Sequence, residues 1–386
     1  MNFSKLMRGT GSNIFLELDD IRRDMEREGK EIINLSVGTP DFQPDGFVMR
    51  ELSERAKAAE NYKYSLCDLP ELTDAVLRWY RRRYNVTLER GEAISIHGTQ
   101  EGMSDVFFPL IDPGDVVLLP DPGYPIFSFG ARLAGAEEAY YPLREENGFL
   151  IDFDAIDPAL ARRAKVIVVS YPSNPVAAVA DREFYERLVA FAKKYEILVI
   201  HDNAYSELVY DGEPGMSFLE VPGAKEVGIE FNSLSKSYNL TGCRISFILG
   251  NREVIQALRA FRSQIDYGIF YPIQYAAIAA LDGPQDIILR NRRGYAERSD
   301  ALYRGLCSLG WETKKAKATM FVWAKLPQNA NSDAFCMRLL RETGVMCVPG
   351  SSFGPRGEGF VRFALTQPVQ NIERAIANIR RSRFCL

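Results

Sequence analysis

Lys165-Val166-Ile167-Val168-Val169-Ser170 and Ile197-Leu198-Val199-Ile200-His201 are apolar, β-branched runs, and Leu188, Val189, Ala192 and Tyr195 recur between them at helical spacing. Runs apolar at nearly every position suit strands buried on both faces, and strand, helix, strand in succession suits two parallel strands joined by a crossover. The same texture extends outward. Ala93-Ile94-Ser95-Ile96 and Val116-Val117-Leu118-Leu119 read as strands. Met103, Val106, Phe107 and Leu110 predict an amphipathic helix between them, closed by Asp112-Pro113-Gly114-Asp115. Val227–Phe231 and Ile245–Leu249 read as two more strands flanking the segment from Asn232 to Arg244. The fold class is therefore α/β, a mostly parallel sheet between helices.

Beyond Tyr271 the pattern changes to long helical periods, Tyr295, Ser299, Leu302, Leu306 and Leu309, then Val369, Ile372, Ile376 and Ile379. Ala318–Leu326 and Gly359–Leu365 read as strands among them. The expected organisation is a large domain over residues 41–275 and a smaller α+β domain over 276–386, completed by an N-terminal segment, 1–40. A length of 386 residues, more than one hydrophobic core usually organises, agrees with two domains.

Composition narrows the function. Lys+Arg number 47 against 51 Asp+Glu, a net charge of −4, and no like-charge block exceeds Arg81-Arg82-Arg83, so no basic face for nucleic acid is expected. Two histidines, His97 and His201, leave little room for a His-rich metal site, and none is assigned. Six cysteines, Cys67, Cys243, Cys307, Cys336, Cys347 and Cys385, form no C-x-x-C pair and read as reduced thiols. Neither an apolar leader between Met1 and Phe15 nor a run of ~18 apolar residues occurs, so no membrane partner and a cytoplasmic location are expected.

In open α/β sheets ligands bind at the carboxyl ends of the strands. Here those ends carry His97-Gly98-Thr99-Gln100, Tyr171-Pro172-Ser173-Asn174-Pro175, His201-Asp202-Asn203-Ala204-Tyr205 and Ser233-Leu234-Ser235-Lys236. Hydroxyls, an amide, a carboxylate and a lysine would converge on one mouth. Gly98-Thr99 opens a helix whose free N–H groups suit a phosphate, with Ser233, Ser235 and Arg244 able to close around it. Nucleotide fingerprints are absent: no G-x-x-x-x-G-K-[ST] occurs, and Gly9-Thr10-Gly11 lacks a preceding strand and a third glycine.

Ser233-Leu234-Ser235-Lys236-Ser237-Tyr238-Asn239-Leu240-Thr241-Gly242-Cys243-Arg244 resembles the cofactor-lysine motif of class I/II aminotransferases, pyridoxal 5'-phosphate enzymes of fold type I. Further resemblances follow in family order: Asn34 to Phe42 resembles the entry motif, Asp121-Pro122-Gly123-Tyr124-Pro125 the stacking segment, Asp202-Asn203-Ala204-Tyr205 the ring-binding segment, and Val361-Arg362-Phe363-Ala364 the carboxylate-binding strand. The resemblance implies a seven-stranded, mostly parallel sheet in the large domain. It also implies a homodimer with shared active sites, Tyr64 reaching the phosphate of the other subunit.

The resemblance assigns roles residue by residue. Lys236 would hold the cofactor as a Schiff base and then move a proton between the substrate Cα and the cofactor. Asp202 would keep the ring nitrogen protonated, Tyr205 and Asn174 would bond the ring oxygen, and Tyr124 would stack on the ring. Gly98, Thr99, Gln100, Ser233, Ser235 and Arg244 would surround the phosphate. Arg362 would grip the substrate carboxylate with Asn174 beside it, and Gly38 would leave room for backbone approach to the substrate.

Two departures from the family pattern stand out: Ala177 where Asn174-Pro175-Val176 is usually followed by glycine, and Asp68 in a shortened segment after Tyr64. The implied activity is transfer of an amino group from an L-amino acid to a 2-oxo acid by ping-pong half-reactions, 2-oxoglutarate being the expected acceptor. Gln264 to Gln274 resembles the branch with bacterial alanine and LL-diaminopimelate aminotransferases. Two alternatives share the scaffold. One is a pyridoxal-phosphate C–S β-lyase; the other, a non-catalytic ligand-sensing domain of a transcription regulator, would need a DNA-binding module that the early start of the match at Asn34 leaves no length for.

Overall fold

The computed structural model describes residues 2, 4–8, 11, 14–211, 214–327 and 330–382. Met1, Gly9, Thr10 and Cys385, which entered the sequence reading, lie outside them. Seven strands form the main sheet: β2 (Ala93–Ile96), β3 (Val116–Asp121), β4 (Glu137–Pro142), β5 (Ala164–Ser170), β6 (Leu198–Asp202), β7 (Gly228–Ser233) and β8 (Ser246–Gly250), after a short β1 (Ile33–Asn34) elsewhere. Their spatial order is β2-β8-β7-β6-β5-β3-β4. Only β8 runs antiparallel to its neighbours, so the mostly parallel sheet is present.

The strands are apolar throughout because both faces are covered. Alternation along β5 sends Ile167 and Val169 into one core, with Leu188 and Tyr185 of the helix Arg182–Tyr195, and Val166 and Val168 into the other, with Met103 and Phe107. The strand β4 escaped the sequence reading for the complementary reason. It is an edge strand with one neighbour, and Glu137 and Tyr140 are exposed, so its sequence carries no apolar run.

The helix after β2 spans Thr99–Asp105 and does not reach Leu110. Val106 to Leu110 continue as turns with Val106 and Phe107 fully buried, so the apolar spacing persists after the helix has ended. Pro109 supplies the reason, since it has no N–H and disfavours helical backbone at the residue before it.

A second core surrounds β9 (Phe321–Lys325), β10 (Val345–Met346), β11 (Val348–Pro349) and β12 (Phe360–Ala364). The order β11-β12-β9 makes one small sheet, and β1 pairs with β10, so the N-terminal segment is hydrogen-bonded to the C-terminal part of the chain. The helix Asp286–Ser308 bridges the two cores, with Ile287 and Ile288 in the first and Tyr295 and Leu302 in the second. The helix Tyr271–Asp282, within which position 275 falls, packs Ala276, Ala277, Ala280 and Leu281 into the core of the large sheet.

Both departures from the family pattern have physical accounts. Ala177 adopts the left-handed region at φ 57°, its N–H donating to Ser173 O at 2.8 Å. The turn keeps the form glycine would give it despite the Cβ. Asp68 accepts the Ser95 N–H at 2.8 Å through Oδ2 and the Ser95 hydroxyl through Oδ1, tying the segment after Tyr64 to β2. Asp68→Ala should therefore lower unfolding stability by about 1–2 kcal/mol, read from urea denaturation, with a Ser95→Ala change adding little on top of it.

Candidate active site

The carboxyl ends of β3, β5, β6 and β7 open into one cavity of about 480 Å³. Register explains the convergence: Ser170 lies beside Asp202 and Asp202 beside Phe231 across three parallel strands, so the loops after them start at one level. Between β7 and β8 the chain doubles back, and because that pair is antiparallel, Leu234 to Ile245 leaves and re-enters the sheet at the same edge. That segment carries both Lys236 and Arg244.

Thr99, Gln100, Tyr124, Asn174, Asp202, Tyr205, Ser233, Ser235, Lys236, Arg244, Arg362 and Gly38 all line this cavity. Gly98 stands just behind, at φ 92°, with the Arg244 guanidinium packed where a Cβ would project. Glycine is required there by conformation and by contact alike. Gly38 differs from its sequence reading in what fills its empty side: the Phe321 ring occupies that space, and the Gly38 carbonyl accepts a hydrogen bond from Lys236 Nζ at 2.6 Å. Tyr64 does not line the cavity of its own chain; it is 79 % exposed and packs edge-on against Tyr267.

At one end the Ser233 hydroxyl accepts from Ser235 N at 3.1 Å and from Ser246 Oγ at 2.8 Å, and Arg244 is held by donation to Thr241 O at 3.0 Å. Hydroxyls, the turn at Gly98-Thr99 and a guanidinium make an anion seat. In the middle, Tyr124 donates to Gln100 Oε1 at 3.2 Å, which holds its ring across the cavity. Burial pushes the phenols of Tyr124 and Tyr205 up, so both are neutral donors.

Asp202 is buried, and its Oδ1 has no hydrogen-bond partner. Burial raises its pKa to about 6, against the pull of the His201 charge and of the Ala204 N–H. A buried carboxylate oxygen with no protein partner, facing the cavity, suits a cationic N–H. Burial, then the charges of Arg244 and Arg362, lower Lys236 to about 8, while Asp202 pulls the other way.

At the far end Arg362 is 1 % exposed. It donates from Nη1 to Asn174 Oδ1 at 2.7 Å and from Nη2 to Ser36 O at 2.8 Å, and its Nε has no partner. No carboxylate pairs with it among the described residues; aromatic rings surround it instead, Phe321 at 4.0 Å, Phe353 at 4.8 Å and Phe15 at 5.2 Å. Burial lowers its pKa to about 10, which leaves it charged at neutral pH. Phe15, Phe321 and Ser246 were not singled out from sequence, because lone aromatic or hydroxyl residues in helical and strand patterns carry no chemical signature.

A buried lysine facing a bare carboxylate beside an anion seat defines a pyridoxal-phosphate site on a fold type I scaffold. The residues fit that cofactor: an amine for its aldehyde, an unpaired carboxylate for its ring nitrogen and a seat for its phosphate. Comparison with known proteins agrees. Residues 30–379 match the family described as aminotransferase class I and II, and the chain belongs to that family; it is a pyridoxal-phosphate-dependent aminotransferase. It is 43% identical over 383 residues to an LL-diaminopimelate aminotransferase of Moorella thermoacetica, covering 99% of this chain and 98% of that one. Among solved structures, substrate-bound BacF of Bacillus subtilis superposes with a TM-score of 0.95 at 35% identity, covering 99% and 98% of the two chains. A probable N-succinyldiaminopimelate aminotransferase of Thermus thermophilus superposes with a TM-score of 0.91, also at 35% identity, over 96% and 100%.

The lowered lysine has a kinetic consequence. Condensation with an aldehyde needs the neutral amine, so the rate at which apoenzyme takes up pyridoxal phosphate should climb with pH and level off near 8. Stopped-flow absorbance measures it; a rate still climbing steeply toward 10.5, the ordinary lysine value, would contradict the burial argument.

Proposed function

We propose that this aminotransferase takes an L-amino acid of the diaminopimelate type as donor and 2-oxoglutarate as acceptor, working as a homodimer in the cytoplasm. The observation that carries the substrate class is Arg362, a fully buried guanidinium beside Asn174 with no carboxylate of its own. An uncompensated buried charge is costly unless a ligand supplies its partner, and a fork of parallel donors matches an α-carboxylate. Two further features support a long, doubly charged donor. A second cavity adjoins the first through Gln100, Tyr124, Ile126 and Arg244, and it carries Glu101, paired with His97, and Arg132, paired with Glu138, which a distal ammonium and a distal carboxylate would join. The name of the Moorella relative points the same way.

Bound pyridoxal phosphate supplies an aldehyde carbon that condenses with amines and a protonated ring that takes up the electron pair left when a Cα proton departs. The chain does the rest. Arg362 and Asn174 fix the carboxylate and so aim the Cα–H bond at Lys236, whose lowered affinity for protons lets Nζ accept that proton and return it. Asp202, whose Oδ1 has no partner, would hold a proton on the ring nitrogen and so keep the ring electron-poor. Tyr205 and Asn174 would bond the ring oxygen, and Tyr124 would stack on the ring. The proposed dimer would bury an exposed apolar face that includes Tyr62, Tyr64, Leu66, Ile265 and Tyr267. Tyr64 would cross that interface.

A panel of amino donors with 2-oxoglutarate, scored for glutamate against pyruvate and ammonia, tests the reaction: glutamate should appear, fastest with LL-diaminopimelate. Pyruvate and ammonia as the main products would replace this reading with the β-lyase. Arg362→Lys should raise the KM for donor and acceptor roughly 10- to 100-fold while changing cofactor affinity less than about twofold. Equal losses in both would remove Arg362 from the substrate clamp.

A further inference from the structure

His201 and Glu230 are each 0 % exposed, and neither has a part in the chemistry above. They are register partners on β6 and β7, and His201 Nδ1 lies 2.9 Å from Glu230 Oε2. The carboxylate is saturated with donors. Tyr80 OH at 2.8 Å and Ser217 Oγ at 2.7 Å point to Oε1, and the Phe218 N–H at 2.8 Å points to Oε2. The Ser217 oxygen already accepts from Leu219 N, so its proton goes to Glu230. Burial works against the charge, but the hydrogen bond and charge of His201, with Ser217 and Tyr80, hold the Glu230 carboxyl below the usual range.

With Glu230 ionised, Nδ1 of His201 is a donor. Its Nε2 lies 3.1 Å from the Tyr171 carbonyl oxygen, which can only accept, and 3.1 Å from Tyr185 OH, whose own proton has the same carbonyl within 3.4 Å. A lone pair on Nε2 would face a lone pair on Tyr171 O. The hydrogen-bond inventory closes when both ring nitrogens carry protons. Tyr80 and Tyr185 face the pair as neutral phenols; the charged groups farther out are Glu220, which caps the Ser217 N–H, Asp181 at the start of the helix that carries Tyr185, and the Arg83–Glu207 pair beside Tyr84, and at Asp202 the Glu230 charge opposes that of His201.

We propose that His201 is a buried imidazolium, paired with Glu230, whose positive charge on the hidden face of β6 keeps Asp202 on the opposite face anionic. Alternation makes this possible: Val199 and the His201 contacts belong to one core, Ile200 to the other, and Asp202 points the same way as Ile200. The pair also fixes three site-bearing loops. His201 Nε2 holds Tyr171, where the turn to Asn174 starts; His201 adjoins Asp202; Glu230 lies three residues before Ser233. His201 is thus a positioning residue acting through Asp202, and the functional half of the inference rests on Asp202 serving the ring nitrogen.

The scarcity of histidine makes the test clean. In protein labelled with 15N-histidine, His97→Asn removes the only other signal; His97 lines the adjoining cavity, between Glu101 and Asp266, and not the cavity that holds Lys236 and Asp202. Long-range proton–nitrogen spectra at neutral pH should show both His201 nitrogens protonated, in apoenzyme and holoenzyme alike. One unprotonated ring nitrogen overturns the proposal outright. The link to Asp202 is read from cofactor affinity against pH: His201→Gln should move the acid-side loss of affinity upward by about one pH unit, because Asp202 then takes a proton more readily. A protonated His201 with no such movement, in a protein where Asp202→Asn does weaken the cofactor, overturns the electrostatic role. If Asp202→Asn leaves cofactor affinity untouched, the ring-nitrogen assignment itself fails and takes the functional half with it, while the spectra still decide the charge of His201.

Discussion

Holding the Arg362 guanidinium in a buried, aromatic-walled place with no carboxylate partner among the described residues is the constraint on which the rest of the site depends. Two of its donors are satisfied by an amide oxygen and a backbone carbonyl, which hydrate the charge without neutralising it. The electrostatic demand is left for a ligand to meet. Because the same charge, after burial and Arg244, also lowers Lys236, the proposed substrate clamp and the proposed reactive amine share one field.

The sheet makes that field possible. Parallel strands end together, so an amide from β5, a carboxylate from β6 and a lysine from beyond β7 reach one cavity with their backbones locked in a ladder buried on both sides. The single reversal at β8 returns Arg244 to the same edge, against Gly98. The second core then closes the cavity by presenting β12, and with it Arg362, across the mouth. Beneath the floor, a second layer of charge at His201 and Glu230 is fully enclosed by hydrogen bonds, which lets the sheet interior carry ions without stranding them.

Much of this was legible in the chain. The runs that became β5, β6, β7 and β8 are apolar because both faces are covered, and burial on both faces is the strongest strand signal a sequence can carry. The motif around Lys236 carries the cofactor's identity in the sequence itself. Less visible were β4, whose edge position allows polar residues, the early end of the helix at Asp105, and the aromatic wall of Phe15 and Phe321 around Arg362. These depend on what a residue faces after folding. His201 is the sharpest case: in sequence it is a lone histidine beside a motif, and only its neighbours reveal a charge.

The sequence by itself determined the α/β layering and the order of the site-bearing loops, because these follow from local periodicity and from residue types set at strand ends, and the motif around Lys236 carries the family resemblance that proposes it as the reactive amine. Tertiary structure alone decided that Arg362 would be buried without a counter-ion, that Gly38 would face a ring, and that His201 would meet Glu230. Each of those is a contact between segments remote along the chain or in separate strands, and its energy comes from the removal of water, which exists only once the chain has folded.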